Sequence, residues 1–214
     1  LAACPNLLLE GCSGGGGRYD AGMMYYSPQI WCSDDTDAME RIRIQLGTSL
    51  FYPVSAMGAH VSVCPNHITG RSTPFATRGN IALSGTFGYE LDLTKLSEEE
   101  REMVRVQVAE YHKYHDLIAC GDLYRLSNAF SVNAFDAWMY VSPDRREALI
   151  TAVCRFDEPN SCVRFVRPRG LDPERIYEVD GMRVSGATLM ALGIQVKSLA
   201  GDGASRLYYL RALS

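Results

Sequence analysis

The sequence predicts two regions of different fold class: α/β over residues 1–120, then antiparallel all-β over residues 121–214. Three observations carry that prediction. In the first region, short continuous apolar runs end in small or polar residues and lead into loops or helices, as parallel strands covered on both faces do. One long amphipathic helix closes the region at Cys120-Gly121. Beyond it, short and partly alternating runs are separated by turn residues at regular spacing, the pattern of an antiparallel β-sandwich.

The first run is Leu7-Leu8-Leu9-Glu10-Gly11-Cys12-Ser13, and residues 19–26 beyond the glycines have the length of a short helix. The second run, residues 29–33, stops abruptly in Asp34, Asp35 and Asp37. Ala38, Ile42 and Leu46 then share one helical face, with Gly47 in the position of a C-terminal cap. The third run, residues 50–56, continues into Met57-Gly58-Ala59-His60, and the fourth is residues 81–86. Residues 60–80 between them are long, polar and rich in Pro and Gly, the kind of connection that carries function more often than a short one. Ser97-Glu98-Glu99-Glu100 is a capping box, in which hydroxyl and carboxylate each satisfy a free backbone N–H. It opens a covering helix whose apolar stripe is expected at Val104, Val108, Tyr111 and Ile118. In the all-β region, strands are expected at 121–127, 134–142, 147–156, 162–167, 175–179 and 206–213, parted by turns such as Ser142-Pro143-Asp144 and Asp180-Gly181.

Four strand units do not close a (β/α)8 barrel, and a half-sheet leaves an edge unprotected. The chain also lacks an initiator Met and opens as though cut. The expectation is therefore the C-terminal half of a (β/α)8 TIM barrel followed by an antiparallel β-sandwich domain, with an open parallel sheet as the alternative.

Composition narrows the partners. At 47% hydrophobic, 21% charged and a net charge of −4, nothing favours nucleic acid or an anionic membrane surface. No apolar run approaches the roughly 18 residues of a membrane helix, and the opening residues lack the cationic start and apolar core of a signal peptide. Seven cysteines, at 4, 12, 32, 64, 120, 154 and 162, include no Cys-x-x-Cys and read as free, buried thiols of a reducing cytoplasm.

In a barrel, functional groups gather where strands end. The first unit offers Cys12-Ser13-Gly14-Gly15-Gly16-Gly17-Arg18 there. Consecutive glycines let a ligand approach the backbone closely, a flexible linker being the structural alternative. A nucleotide phosphate loop is disfavoured, since no Gly-Lys-Ser/Thr follows. The second unit offers Asp34, Asp35 and Asp37, either as catalytic carboxyls or as helix N-caps, a role that Asp35 or Thr36 would fill well. A general acid must keep its proton near neutrality, which partial burial beside Trp31 or a second carboxylate would achieve. His60, Cys64 and His67 lie close together without a strong zinc spacing, so no metal or other cofactor is expected. His112 and His115 are expected on the solvated face of the covering helix.

Taken together, Leu7-Leu8-Leu9-Glu10-Gly11-Cys12-Ser13-Gly14-Gly15-Gly16-Gly17-Arg18 and Tyr25-Tyr26-Ser27-Pro28-Gln29-Ile30-Trp31-Cys32-Ser33-Asp34-Asp35-Thr36-Asp37-Ala38 closely resemble the microbial α-galactosidases of glycoside hydrolase family 36. The likeness continues through Gly47-Thr48-Ser49-Leu50-Phe51-Tyr52-Pro53, Met57-Gly58-Ala59-His60, Pro65-Asn66-His67, Thr69-Gly70-Arg71 and Gly85-Thr86-Phe87-Gly88. It is looser beyond residue 125, where Gly186-Ala187-Thr188-Leu189-Met190 is similar to the family's C-terminal β-domain. The resemblance implies a retaining hydrolase that removes terminal α-linked galactose from melibiose, raffinose and similar oligosaccharides, using two carboxyl groups about 5–5.5 Å apart. It implies that Asp34 is the acid/base and that Cys12, Ser13, Gly14 and Gly15 contact the galactose. Asp35 and Asp37 would then support Asp34 or start the next helix. The family's nucleophile lies in a Lys-Trp-Asp-Met-Asn motif ahead of these glycines, and this chain contains no such motif. The resemblance therefore implies a chain inactive on its own, an α-galactoside oligosaccharide as substrate, and a homo-oligomer, often a tetramer.

Two other readings stand beside it. One is a carbohydrate-binding or structural module in which Tyr124, Trp138, Tyr140, Tyr208 and Tyr209 stack on sugars, although aromatics at strand spacing more often pack a core. The other is a related α-N-acetylgalactosaminidase or a raffinose-synthase-like transglycosylase, since one pocket residue can decide the C2 preference.

Overall fold

The computed structural model describes residues 3–128, 134–157, 159, 164–196, 199 and 201–213. The chain divides into two compact units, Leu1–Val104 and Arg105–Ser214.

The first unit holds four parallel strands: β1 (Glu10–Gly11), β2 (Gln29–Ile30), β3 (Gly58–Ser62) and β4 (Thr86–Glu90). β1 pairs with β2 through Glu10↔Gln29 and Gly11↔Ile30, Ile30 bridges in parallel to Met57, and β3 pairs with β4 from Gly58↔Thr86 to Ser62↔Glu90. Neighbours in space are thus neighbours in sequence, and the crossovers carry the helices α1 (Ala21–Met24), α2 (Ala38–Thr48) and α3 (Phe75–Ala82). Parallel strands require such crossovers.

Two strands lie further along the chain than their apolar runs predict. Residues 54–56 form a 3-10 turn, with β3 starting beyond it, and Ile81-Ala82 close α3 ahead of β4. A short apolar run marks burial, which strands and helix ends share. The connection expected over 60–80 accordingly contains the end of β3 and most of α3. In α2, Ala38, Ile42 and Leu46 are buried as the spacing predicts, but the helix runs through Gly47 to Thr48. Its N-cap is Asp37, not Asp35 or Thr36: Asp37 Oδ1 accepts from Met39 N at 2.8 Å and Glu40 N at 3.4 Å.

The covering helix, α4 (Glu98–Cys120), begins with the capping box, Glu100 N donating to Ser97 Oγ at 3.1 Å and Ser97 N to Glu100 Oε2 at 3.0 Å. Its buried line runs through Gln107, Tyr114, Leu117 and Ile118; of the stripe read from the sequence Ile118 is buried, Val104 and Tyr111 are half-buried, and Val108 is exposed. Several apolar faces are open to so long a helix, and its packing selects one. Val104 packs instead beside the Val61, Phe75 and Ala82 cluster of the first unit. His112 and His115 are exposed. Among the described residues, no helix is long and apolar enough to cross a membrane.

The second unit is a six-stranded antiparallel sheet of order β10-β9-β12-β7-β6-β5, with a two-stranded antiparallel ladder of β8 and β11. Its strands are β5 (Asp122–Arg125), β6 (Phe135–Val141), β7 (Glu147–Cys154), β8 (Arg164–Val166), β9 (Ile176–Val179), β10 (Met182–Ser185), β11 (Ile194–Val196) and β12 (Ser205–Ala212). The expected strand over 162–167 has its first two residues outside the described residues. β10, β11 and the helix α5 (Gly186–Leu192) have no counterpart among the expected elements. Local signals for them exist: Asp180 and Gly181 both adopt positive φ, at 50° and 75°, as a two-residue hairpin turn requires, and Ser185 Oγ caps α5 by accepting from Thr188 N at 3.2 Å.

One face of β6 and β7 contributes Met139, Val141, Ala148 and Ile150 to a core completed by Val166, Leu171, Leu189 and Ile194. Trp138 and Tyr140 alternate to the opposite face, and they and Tyr208 are at most 2% exposed. These three rings are spent on packing and present no face to a sugar. Tyr209 packs on Tyr114 at 5.3 Å, with Lys113 Nζ 4.7 Å from its ring centre.

The cysteines fit the expectation only in part. The six described ones are free, but only Cys154 is buried, and Cys4, Cys12 and Cys120 are exposed. Cys12 and Cys120 sit where an element ends and the chain turns toward solvent. Cys162 lies outside the described residues.

Candidate active site

The site is built where β1 and β2 end. Past Gly11 the chain turns sharply: Gly17 N donates to Ser13 O at 3.0 Å, and Arg18 Nη2 donates to Cys12 O at 3.2 Å. Within that turn Gly14, Gly15 and Gly16 have φ of 59°, 69° and 93°, the left-handed region that side chains with a Cβ avoid. Steric room is a second reason for glycine. A Cβ on Gly15 would lie 2.5 Å from Asp34 N, and one on Gly16 would lie 2.8 Å from Cys32 O. A Cβ on Gly14 would meet nothing within 4 Å. The turn therefore rests its backbone on the Cys32–Asp34 segment and leaves Gly14 facing open space. Of the expected sugar-contacting residues, Gly15 is the one placed directly against Asp34; Cys12, Ser13 and Gly14 belong to the same turn.

The three aspartates separate by their bonds. Asp37 is only 1% exposed; besides capping α2 it accepts from Arg71 Nη1 at 2.6 Å and from the hydroxyl of Thr69. Asp35 Oδ1 accepts from Asp37 N at 3.0 Å, and Asp35 N donates to Ser33 Oγ at 3.1 Å. Asp34 is exposed, and among the described residues its carboxyl group takes no hydrogen bond and no ion pair. Asp37 and Asp35 are thus used up in building the corner, while Asp34 projects from it uncommitted.

Residues 62–71 brace the same corner. Asn66 Nδ2 donates to Thr36 Oγ1 at 3.0 Å, Asn66 Oδ1 accepts from Ile68 N and Thr69 N, and Ser62 Oγ donates to Thr36 O at 2.8 Å. Beneath lies an aromatic and cationic stack. Trp31 stacks on His60 with ring centres 4.7 Å apart and planes 26° apart, and the Arg41 guanidinium lies 4.3 Å from the Trp31 ring centre. Burial holds the His60 imidazole below its ordinary range, with Glu10 and Glu90 pulling it back upward. His60 is thus a stacking partner of Trp31. Among the described residues, no three His, Cys, Asp or Glu side chains are grouped to hold a metal ion.

The sequence points to Asn66, Thr69 and Arg71 only through the family likeness, and no motif marks Arg41. Arg41 and Gln45 do carry a signal: two polar residues at i, i+4, adjoining the apolar face of α2, both 2% exposed.

An exposed carboxyl on a braced corner, next to a bare glycine backbone, suits proton transfer to a polar ligand lying on the glycines. Comparison with known proteins gives the family. The family model described as Melibiase matches residues 1–121, and that of the glycosyl hydrolase family 36 C-terminal domain matches residues 135–210. The bifunctional alpha-galactosidase/sucrose kinase AgaSK of Mediterraneibacter gnavus is 57% identical over 192 residues, 89% of this chain and 20% of its own length. Alpha-galactosidase AgaA of Geobacillus stearothermophilus is 49% identical over 210 residues, 98% of this chain and 29% of its own. The crystal structure of an AgaA variant in complex with raffinose superposes with a TM-score of 0.95 at 46% identity, covering 99% of this chain and 30% of that one. This chain thus spans between a fifth and a third of the length of these relatives. Its α/β part and its antiparallel β-sheet domain each match their counterpart in those proteins, and the chain belongs to glycoside hydrolase family 36.

Proposed function

We propose that this chain is the C-terminal part of a retaining α-galactosidase acting on raffinose- and melibiose-type oligosaccharides. Residues 1–120 supply the second half of its (β/α)8 barrel, and residues 121–214 its C-terminal β-domain. Asp34 is the general acid/base. It protonates the departing glycosidic oxygen and then, as a carboxylate, takes a proton from the water that releases the galactose. Cys12, Ser13, Gly14 and Gly15 line the galactose subsite. The nucleophile comes from a segment outside this chain, since the chain lacks the family's Lys-Trp-Asp-Met-Asn motif. The enzyme needs no cofactor, works in the cytoplasm and assembles as a homo-oligomer, a tetramer by family resemblance.

The observation that carries this reading is the seating of the glycine turn on the Asp34 backbone, with the Asp34 carboxyl left unengaged. The raffinose bound by the AgaA variant supports the choice of substrate class.

The test uses the full-length enzyme. Asp34→Asn is expected to lower kcat/KM for raffinose by about 10²–10⁴-fold, and to lower it far less for p-nitrophenyl α-galactoside, whose leaving group departs without protonation. Equal losses on both substrates would overturn the acid role. The chain by itself is expected to release no p-nitrophenol; release that Asp34→Asn abolishes would overturn the placement of the nucleophile elsewhere.

A further inference from the structure

We infer that Arg41 is the positioning residue of the Asp34 corner, a role that rests on Asp34 being the acid/base.

Trp31 N still donates to Gly11 O of β1 at 2.8 Å, but residues 32–34 beyond it belong to no strand or helix. One side of this segment is covered by the glycine turn. Arg41, from the first turn of α2 and 2% exposed, holds it elsewhere. Its guanidinium touches three successive residues ahead of Asp34. It lies over the Trp31 ring, Nη1 donates to Cys32 Sγ at 3.5 Å and to Ser33 O at 3.3 Å, and Nη2 donates to Gly58 O at 2.9 Å. The last bond anchors the group to the first residue of β3. A single planar fork thus ties the approach to Asp34 to the neighbouring strand, and the stacking of Trp31 on His60 ties it to the same strand a second time.

A packing role alone does not account for this group. Burying a guanidinium is costly unless its donors are met. Arg41 Nε has no hydrogen-bond partner, and among the described residues no carboxylate lies within ion-pair distance of Arg41. An apolar side chain of similar volume would fill the space without that cost. What it would lack is a rigid set of donors aimed in two directions at once, which is the property that sets Arg apart from Lys as well. Displacing a catalytic group by about 1 Å costs on the order of 10²-fold in rate, so fixing residues 31–33 bears directly on proton transfer by Asp34.

The experiment compares Arg41→Met, Arg41→Lys and Asp34→Asn in the full-length enzyme. The readout is the ratio of kcat/KM for p-nitrophenyl α-galactoside to kcat/KM for raffinose. That ratio does not depend on how much of a sample is folded, so mere destabilisation leaves it unmoved. Arg41→Met is expected to raise it by about tenfold or more, in the same direction as Asp34→Asn. Arg41→Lys, which keeps the charge and loses the fork, is expected to raise it by a smaller factor, and decides the matter should Arg41→Met not fold. If Asp34→Asn raises the ratio while the Arg41 variants stay within about twofold of wild type, the positioning role is overturned. If Asp34→Asn leaves it unchanged, the acid/base reading falls, and the role of Arg41 with it.

Discussion

Gly15→Ala is the sharpest probe of how the site is held together. The added methyl would sit 2.5 Å from Asp34 N, where ordinary contact begins at 3.4 Å, so about 0.9 Å must open between the turn and the Asp34 segment. The atoms in the way are backbone, Asp34 N at 2.5 Å and Ser33 Cα and C at 3.0 and 3.1 Å, and no side chain can swing aside. The residue must also keep a φ of 69°, which costs a residue with a Cβ about 1–2 kcal/mol. A shift of that size at a catalytic group is worth on the order of 10²-fold, or about 2.7 kcal/mol of transition-state stabilisation. The assay is kcat/KM on raffinose with the full-length enzyme. Gly181→Ala is the control, since Gly181 has φ of 75° and a Cβ there would meet nothing within 4 Å; it should cost stability and leave kcat/KM at the wild-type value. A Gly15→Ala enzyme within about threefold of wild type on raffinose would refute the claim that the glycine turn sets the place of Asp34.

Two predictions concern stability. Burial lowers the pKa of His60, so as pH falls through about 6.5 the unfolded chain takes up a proton that the folded one refuses, and stability drops in the window between that value and the lower folded one. His60→Phe keeps a ring for Trp31 and removes the titration, so the melting temperature of the variant should depend less on pH between about 7 and 5; parallel profiles would count against it. In the second unit, Asp136 is 1% exposed, pairs with Arg155 and accepts from Ser127 Oγ at 2.9 Å. Asp136→Ala strands a mostly buried guanidinium and is expected to cost about 3–5 kcal/mol in chemical denaturation; a loss under about 1 kcal/mol would show that Arg155 finds water instead.

The second unit was the more legible in sequence. Its β5, β6, β7, β9 and β12 each fall inside an expected strand or within one residue of it. Their limits are set by local chemistry, since turn residues mark the ends and alternation marks the interior. The α/β half was legible in kind but less so in place. The runs at 50–56 and 81–86 foretold burial correctly while their strands lay further on, because burial there is shared by a 3-10 turn and a helix end. At the site, the sequence left three aspartates open between chemistry and capping. Their division followed from bonds that the local sequence does not encode: Arg71 and Thr69 reach Asp37 across more than 30 residues.

By itself, then, the sequence determined the order of fold classes, the capping box of α4, the apolar face of α2 and, through its motifs, the family. Each of these depends on residues near one another along the chain, or on an identity that motifs carry without any geometry. Only the tertiary structure decided which aspartate is left unengaged, that Gly15 and Gly16 are required by contact as well as by φ, and that a buried arginine on α2 grips the residues before Asp34. Those facts depend on where β1, β2 and β3 come to lie side by side, which is set by the packing of the whole unit and by no short stretch within it.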